Sequence, residues 1–586
     1  MKLRPIAFVL VVLIVILLKV ARAEGPKSVD RPEPLCPHVF INDGVLKLGE
    51  NEKALVCGST KGGEAWGDVP LPQAQYQLSV ILQNQGYPEP RFVRDGDRLD
   101  LWKGPLLQTK SLVIEGADGL LDAAKKRKII GYPLTPKTLD EVNTWADFSL
   151  RRQGFACPKI TVNGHAWDQQ IRVVVETGGR KKINGVERAG IDGLDPVSLQ
   201  RFEGYHVGDV YDVIDTQITS TRLLNEGLFQ SAYFSTHCHE DLVDLKMVTS
   251  QGKPRLLRFG LGASTEEFPF ADLRYMNSRL DAFASNYSAV LHASPIWQSL
   301  NLSSELYVFS AWPAIFLGPN FVAEHRVESA YEIDRAAVGA DIGRNWDIRK
   351  TAVTLRTGPS FTNERTLSGI GPGDASYVSW QAAINVSSHA YEAFIGDQNE
   401  GWNGSFTYRT SRQGLGSAVN VDRMAADFKY LWNIGSYSPP LLVLATRTEA
   451  IAIAANVNSD ADRAQLPVDD RIFYGGDQNL RGFSRGSLNN GQLGYLTALY
   501  AGFELRLVEQ VPYHIEPFLL YDVAQLGNNN FSLSPEIYSS PGLGVRWGSP
   551  FGTLRGTCAY GYLARSAPGD SLSGQVVTFV SFGEEF

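Results

Sequence analysis

The sequence is short of charged residues, cysteines and long apolar runs, and each shortage excludes a class of protein. Charged residues make up 20% of the 586 residues, whereas hydrophobic residues make up 44% and aromatic residues 11%. This balance excludes an intrinsically disordered chain. Acidic residues outnumber basic ones, 63 against 55, and the net charge of −8 argues against a nucleic-acid reader with a basic face. Five cysteines are too few for a small scaffold built from disulfides.

One apolar run approaches the length of a membrane-spanning helix, and it lies at the N-terminus. Basic residues precede an uncharged stretch from Ala7 to Leu18, and Ala21-Arg-Ala23 has the small residues of a cleavage site. This pattern predicts a secretory signal peptide at residues 1–23 and a mature chain outside the cytoplasm. An uncleaved membrane anchor is the alternative, although the run is short for a spanning helix.

Residues 24 to about 252 repeat one pattern three times: a helical segment that ends at glycine and an aromatic, then two short strands around a turn. The three helical segments are Leu71–Gly86, Thr138–Gln153 and Asp212–Asn225. Repetition at roughly 70 residues is typical of an array of similar modules. The predicted modules are residues 24–105, 106–180 and 181–252.

Beyond residue 252 the helical period gives way to alternation between apolar and polar residues. In one segment the apolar face comprises Val378, Trp380, Ala382, Ile384 and Val386. Segments of this kind, with charges on the polar face, predict a transmembrane β-barrel over residues 253–586 with about 16 antiparallel strands. A soluble β-sandwich or propeller is the alternative, but the segments are long for either fold.

The segment Arg471-Ile-Phe-Tyr-Gly-Gly-Asp-Gln-Asn-Leu-Arg-Gly-Phe483 carries the most specific pattern in the chain. It resembles the loop signature of the Omp85 superfamily, whose defining positions here are Gly475, Gly476, Arg481, Gly482 and Phe483. The later segments Gly502–Arg506, Pro517–Asp522 and Gly542–Gly552 resemble strands that follow this loop in the family. The chain ends in a pattern similar to an outer-membrane β-signal, with Phe582, Gly583 and Phe586.

Within the superfamily the sequence is most similar to the TamA family of translocation and assembly modules. The resemblance implies an outer-membrane barrel with three POTRA domains in the periplasm. It implies insertion or secretion of β-barrel and autotransporter proteins, with no catalysis, cofactor, metal or nucleic acid. The implied partners are a TamB-like protein anchored in the inner membrane, unfolded outer-membrane proteins and outer-membrane lipid.

The mechanism expected from this resemblance uses the junction between the first and last barrel strands. If the strands near Leu256–Ala263 and Val576–Phe586 share few hydrogen bonds, the junction can open and pair with an incoming strand. A cysteine pair at Gly260 and Phe582 is the cross-link that the sequence suggests for locking it. The alternative is a two-partner secretion transporter that exports protein through the barrel lumen, although three modules exceed the two typical of that family.

The arginine of the loop motif can be interpreted from its chemistry. Arg481 carries five donors, and beside Gly482 the backbone can turn sharply. Inside a lumen its guanidinium group must find carboxylates or stay hydrated. Glu504 and Asp522 are the predicted lumen partners, and the alternative is a solvated arginine on a flexible loop.

The cysteines divide into a predicted pair and an open case. Cys36 and Cys57 lie in the first module and form a possible disulfide, which would stabilise that module by about 3 kcal/mol. Cys157 and Cys238 occupy similar places in the second and third modules, and either a disulfide or two free thiols fits the sequence.

Two further motifs are interpreted as structural. Gly482-Phe-Ser484-Arg-Gly486 spells the nucleophile elbow of α/β-hydrolases, but turn-forming residues flank it where that motif needs a strand and a helix. His237 and His239 could share a metal ion on one face of a strand, but no second cluster completes a zinc shell. The sequence therefore predicts neither a catalytic serine nor a metal site.

Overall fold

The computed structural model describes most of the chain in two compact units. The described residues are 32–58, 69–122, 125–126, 129–309, 311–348, 350–393, 399–435, 440–508, 510–549, 552–565 and 574–582. One unit contains the first module and most of the second, and the other contains residues 119–125, 147–159 and 176–586. Within the described residues, no helix combines the length and apolarity needed to cross a bilayer. The signal-peptide prediction, Gly583 and Phe586 lie outside the described residues.

The first module is a four-stranded sheet with two helices. Its elements are β1 (Glu33–Cys36), β2 (Val39–Ile41), α1 (Glu50–Cys57), α2 (Leu71–Asn84), β3 (Arg91–Asp95) and β4 (Arg98–Trp102). The strand order is β1-β2-β4-β3, so β3 lies at an edge. Leu78 and Leu82 of α2 are fully buried against Leu99 and Leu101 of β4, as the apolar spacing of the helix requires.

The second and third modules each contain a three-stranded sheet. The second consists of β5 (Ser111–Glu115), α3 (Pro136–Arg151), β6 (Lys159–His165) and β7 (Gln170–Glu176), in the strand order β5-β7-β6. The third consists of β8 (Lys182–Ala189), α4 (Pro196–Leu199), α5 (Val213–Asn225), β9 (Ser231–His239) and β10 (Leu242–Ser250), in the order β8-β10-β9. In both sheets the middle strand pairs in parallel with the first strand.

Both cysteine pairs are disulfide-bonded in the structure. Cys36 of β1 is bonded to Cys57 of α1, and their Cα atoms are 6.0 Å apart. Cys157 follows α3 and is bonded to Cys238 of β9, with 6.5 Å between the Cα atoms. The open case in the sequence is therefore a disulfide that joins the segment between α3 and β6 of the second module to the third module. Cys558 is a free cysteine and is exposed.

The barrel is a closed ring of 16 strands in chain order. The strands are β11 (Arg255–Ser264), β12 (Phe270–Asn277), β13 (Asn286–Ala293), β14 (Trp297–Glu305), β15 (Ile315–Val327), β16 (Tyr331–Asp347), β17 (Thr351–Gly369), β18 (Asp374–Ser388), β19 (Gly401–Ser411), β20 (Val421–Asn433), β21 (Leu442–Ala455), β22 (Thr497–Leu507), β23 (Ile515–Gly527), β24 (Ile537–Ser549), β25 (Gly552–Arg565) and β26 (Gln575–Phe582). One short helix, α6 (His389–Ala393), follows β18. The architecture predicted from the sequence, a 16-stranded antiparallel barrel preceded by three small α/β modules, is confirmed.

Side chains alternate along the barrel strands between an exposed apolar face and a lumen-facing polar one. On β22, Leu499, Phe503 and Leu505 are 49%, 39% and 38% exposed, whereas Glu504 and Arg506 are buried. The exposed apolar face is the surface that a barrel presents to lipid.

Strand pairing is uneven around the ring, and among the described residues the shortest pairing joins the first strand to the last. Among the described residues, β11 pairs with β26 at two positions, Ala263 with Phe582 and Ser264 with Ser581. On their other sides, β11 has eight paired positions with β12 and β26 has eight with β25. The sequence suggested Gly260 as the partner of Phe582, but the residue of β11 that lies opposite Phe582 is Ala263. The predicted cross-link pair is therefore wrong by three residues on β11.

Candidate functional site

The candidate site is the long segment of residues 456–496 between β21 and β22, hereafter the lumen loop. It contains a short helix, α7 (Asp460–Ala464), and a 3-10 turn, Val468–Asp470. Two bridges, Ile472 with Tyr495 and Tyr474 with Leu488, fold the rest of the loop on itself. Its apolar side chains share one buried cluster with residues of the barrel wall, so the loop is packed inside the barrel.

Three glycines of the motif lie where the chain leaves no room for a side chain. Gly475 and Gly476 have φ angles of 105° and 122°, which favour glycine. A Cβ atom on Gly475 would lie 2.3 Å from the carbonyl oxygen of Ser484. A Cβ atom on Gly482 would lie 2.4 Å from the backbone nitrogen of Gly561 on β25, so at this point the loop backbone touches the barrel wall.

Arg481 and the two predicted carboxylates meet in the lumen. Arg481 donates from Nε and Nη2 to the two oxygens of Asp522, at 2.9 and 2.6 Å, and from Nη1 to Glu504. Its backbone N–H also donates to Asp522, at 3.1 Å. Arg481 is 1% exposed, and both carboxylates are 0% exposed. The guanidinium fork is therefore held by paired, charge-assisted hydrogen bonds away from water.

The sequence did not indicate three other members of this site. Arg506 lies on the same strand face as Glu504 and donates to it at 2.9 Å, and Arg555 of β25 also donates to Glu504. Tyr500 donates to Asp522 at 3.2 Å. These residues lie at lumen-facing positions of the alternating strand pattern, and that position was the sequence signal that could have identified them. Glu504 accepts hydrogen bonds from all three guanidinium groups, so this carboxylate joins the three arginines of the site.

The loop makes further contacts near the outer ends of the first strands. The backbone N–H of Asp477 donates to Glu266, in the turn after β11, at 3.2 Å. Arg485 pairs with Glu328, in the turn after β15, at 2.8 Å. The loop therefore touches the hairpin that begins the weakly paired junction.

The remaining motifs of the sequence lie in different surroundings. Residues Gly482–Gly486 form turns and bends, which is not the strand-to-helix geometry of a nucleophile elbow. His239 lies 3.3 Å from Asp244 on the neighbouring strand. Among the described residues, no group of three or more potential ligands could hold a metal ion.

The model of the Omp85 superfamily domain matches residues 285–571, which span most of the barrel and the entire lumen loop. The chain carries an Omp85 superfamily domain. Among solved structures, the chain is similar to BamA from Haemophilus ducreyi lacking POTRA domains 1–3. The identity is 15%, the match covers 82% of this chain and 100% of that one, and the TM-score is 0.47.

Two further solved structures similar to the chain are CdiB proteins. CdiB from Acinetobacter baumannii is 13% identical, with 82% of this chain and 90% of that one covered and a TM-score of 0.43. CdiB from Escherichia coli is 11% identical, with 87% and 97% covered and a TM-score of 0.44. No curated protein sequence matches the chain.

A second charged cluster lies where the third module meets the barrel. His389 of α6 is 3% exposed, with Nε2 3.1 Å from Asp347 at the end of β16 and Nδ1 3.7 Å from Asp215 of α5. Arg222 of α5 lies 3.3 Å from Asp347, and Lys350 lies 2.7 Å from Asp212 and 3.4 Å from Asp215.

Protonation of His389 completes the balance of charge in this cluster. Burial lowers the pKa of His389, but its interactions with Asp215 and Asp347 outweigh burial, so the pKa is raised above its usual value. In the same way, burial lowers the pKa of Lys350, but its hydrogen bond to Asp212 and the charge of Asp215 raise it overall. With His389 protonated, three cations face three carboxylates.

Proposed function

We propose that this Omp85 protein inserts or secretes outer-membrane proteins through the junction between β11 and β26, hereafter the seam. The observation that carries the proposal is that, among the described residues, which end at Phe582, these strands pair at two positions, against eight positions on the other side of each. Unpaired backbone groups in lipid cost several kcal/mol each, so a short seam is where a closed barrel opens with the least loss. The exposed strand edge can then pair with an incoming strand.

The filled lumen supports a lateral route over export through the barrel. Export through the lumen would require the loop to leave, and Arg481, Glu504 and Asp522 would then each lose a buried partner. Removing a partner from a buried ion pair costs about 3–5 kcal/mol. Opening the seam separates the described pairs Ala263–Phe582 and Ser264–Ser581 and leaves this network in place.

The proposal also gives the protein a location and a partner. The barrel would lie in the outer membrane with its POTRA domains in the periplasm, and the role would be that of a TamA-like translocation and assembly factor without bond chemistry of its own. Unfolded outer-membrane proteins are the proposed substrates. Strand β3 is the exposed edge of the first sheet, and such an edge can receive a strand of a TamB-like partner.

A disulfide across the seam tests this proposal. Ser264 and Ser581 are directly paired and buried on the lumen side, so cysteines at both positions can be bridged with little change in side-chain volume. The exposed Cys558 is first replaced by serine. Insertion of an unfolded β-barrel substrate into proteoliposomes is then measured by heat-modifiable gel migration. Oxidation should abolish insertion, and reductant should restore it.

The matched control locks a different pair of strands. Ser288 of β13 lies opposite Ser303 of β14, so the same two substitutions there create a disulfide away from the seam. This control should keep insertion when oxidised. If the oxidised seam variant also keeps full insertion, the seam is not the route. If secretion persists through the locked barrel, the two-partner type of export through the lumen replaces the proposal.

A further inference from the structure

The lumen loop has a second charged attachment on another part of the wall. Asp469 and Asp470 form an acidic pair in the 3-10 turn of the loop. Arg409 of β19 donates to Asp470 and lies 3.6 Å from Asp469, while Nε of Arg335 on β16 lies 3.2 Å from Asp469. Asp470 is 1% exposed, so this pair is not a solvated acidic turn.

The wall also binds the backbone of the same turn. Glu364 of β17 accepts the backbone N–H groups of Val468 and Asp469, at 2.6 and 3.3 Å. Arg423 of β20 donates to the carbonyl oxygen of Asp469 at 2.5 Å. Arg471 continues the attachment with a 2.5 Å hydrogen bond to the carbonyl oxygen of Ile370. Side chains from four wall strands therefore converge on three consecutive residues of the loop.

At this place the loop supplies carboxylates that balance the positive charges of arginines on the barrel wall. Arg335, Arg409 and Arg423 face Asp469 and Asp470 of the loop, together with Glu364. Without the loop, Arg409 would lose the carboxylates of Asp469 and Asp470 that pair with it, while Arg335 would keep Glu324. Since unpaired buried charges are costly, the wall is suited to an acidic segment at this position.

The two attachments lie on different arcs of the ring. Arg481 is held by Glu504 of β22 and Asp522 of β23, whereas the acidic turn is held by side chains of β16, β17, β19 and β20. Between them the ring centroids of Phe473 and of Tyr331 on β16 are 4.9 Å apart, and Tyr474 donates to Glu449 of β21 at 2.5 Å. The segment from residue 469 to residue 481 therefore crosses the lumen from one arc to the other.

We propose that Asp469 and Asp470 are positioning residues that hold the lumen loop across the barrel and keep the lumen closed to ions. The purpose of this closure rests on the proposed function. A closed lumen allows the seam to open without an ion leak. Its geometry is independent of the seam. Neutralising the acidic pair frees one end of the segment, while Arg481 still holds the other.

Ion conductance of the purified full-length protein in planar bilayers tests this proposal without any substrate. The Asp469→Asn/Asp470→Asn double variant should show a several-fold rise in mean conductance over the parent. The control is Asp460→Asn, which removes one carboxylate charge from the same loop at a side chain that is 75% exposed. The control should conduct like the parent. Equal conductance of the double variant and the parent overturns the proposal.

Locking the seam separates a leak through the lumen from an open seam. With the oxidised Ser264→Cys/Ser581→Cys disulfide present, the rise caused by the double variant should persist. A rise that disappears on locking would place the leak at the seam and overturn the proposal. Because neither result depends on insertion activity, failure here leaves the seam experiment to decide the proposed function on its own.

A charge-reversal pair distinguishes the loss of a specific ion pair from misfolding of a variant. Asp470→Arg and Arg409→Asp should each raise the conductance, and the two together should bring it back towards the parent value. Heat-modifiable gel migration shows that each barrel is folded. Folded single variants with parent conductance, or a double variant that leaks as much as the singles, would contradict a positioning role.

Discussion

The two attachments of the lumen loop have opposite polarity and different burial. At the first, a cation of the loop, Arg481, meets carboxylates of the wall, and all three groups are at most 1% exposed. At the second, two carboxylates of the loop meet arginines of the wall, and the side chains of Arg335 and Asp469 are 20% and 22% exposed.

This difference shows how a long loop can be held in one register. Arg481 would be repelled by the arginines of the second attachment, and Asp470 would be repelled by Glu504 and Asp522 at the first. Arg481 and Asp470 are therefore each attracted to one attachment and repelled by the other. Such a combination of attraction and repulsion specifies a single arrangement of the loop. The difference in burial predicts that the first attachment is energetically the stronger.

The largest effect is expected for Arg481→Ala. It leaves Asp522 buried without its guanidinium partner and removes one of the three arginines that donate to Glu504, which should cost about 3–5 kcal/mol of loop docking. The melting temperature of the barrel, followed by heat-modifiable gel migration, should fall, and substrate insertion should fall with it. Arg481→Lys should recover part of the loss, since lysine keeps the charge but lacks the planar fork.

Arg485→Ala is the matched control for this prediction. Arg485 belongs to the same loop and pairs with Glu328, but its side chain is 30% exposed. A partly hydrated pair contributes about 0–1 kcal/mol, so the melting temperature should barely change. Equal losses for Arg481→Ala and Arg485→Ala would show that the buried network does not hold the loop.

An intermediate effect is expected for Asp470→Asn. The amide keeps the shape of the side chain and can still accept a hydrogen bond from Arg409, so the loss should be about 1.5–3 kcal/mol. Its melting temperature should lie between those of Arg481→Ala and Arg485→Ala. A loss as large as that of Arg481→Ala would remove the distinction between the two attachments.

The smallest effect is expected outside the lumen, at His389. Because its pKa is raised in the folded protein, the protonated imidazole stabilises the contact between the third module and the barrel below the usual pKa of about 6.5. That stability is lost as the pH rises through the raised pKa. Chemical cross-linking of the third module to the barrel should therefore weaken above neutral pH.

His389→Gln is the control for the pH effect. Glutamine can still donate a hydrogen bond to Asp347 but has no charge to lose, so cross-linking should no longer change over this range. A pH dependence that survives in His389→Gln would assign it to another group in the cluster, where Asp212, Asp215, Asp347, Arg222 and Lys350 also lie.

Much of this arrangement was predictable because local patterns determine it. Helix α2 ends before Gly86, whose φ angle of 93° favours glycine, and the alternation of Leu499, Phe503 and Leu505 with Glu504 follows from the geometry of a strand. Arg481 was singled out because it belongs to a specific motif. Its partners Glu504 and Asp522 lie on lumen-facing positions of the next two strands, where this pattern places them.

The second attachment was missed because its members are far apart in sequence. Asp469 and Asp470 have the composition of an exposed turn, and more than 130 residues separate Arg335 from Asp470 along the chain. A charge on the polar face of a strand has the same pattern whether it meets water or a buried loop. Gly561 was missed for a related reason, since only the backbone of Gly482 explains why β25 has no side chain there.

The uneven lengths of the strands have a consequence for the surrounding bilayer. β12 and β13 have 8 residues each, whereas β16 and β17 have 17 and 19. A tilted strand needs about 9–11 residues to match the hydrocarbon thickness of a typical membrane. In the proposed outer-membrane location, lipids beside the short strands would have to compress to relieve hydrophobic mismatch, and this elastic strain would fall on one side of the barrel. A polypeptide entering there would have a thinner barrier to cross.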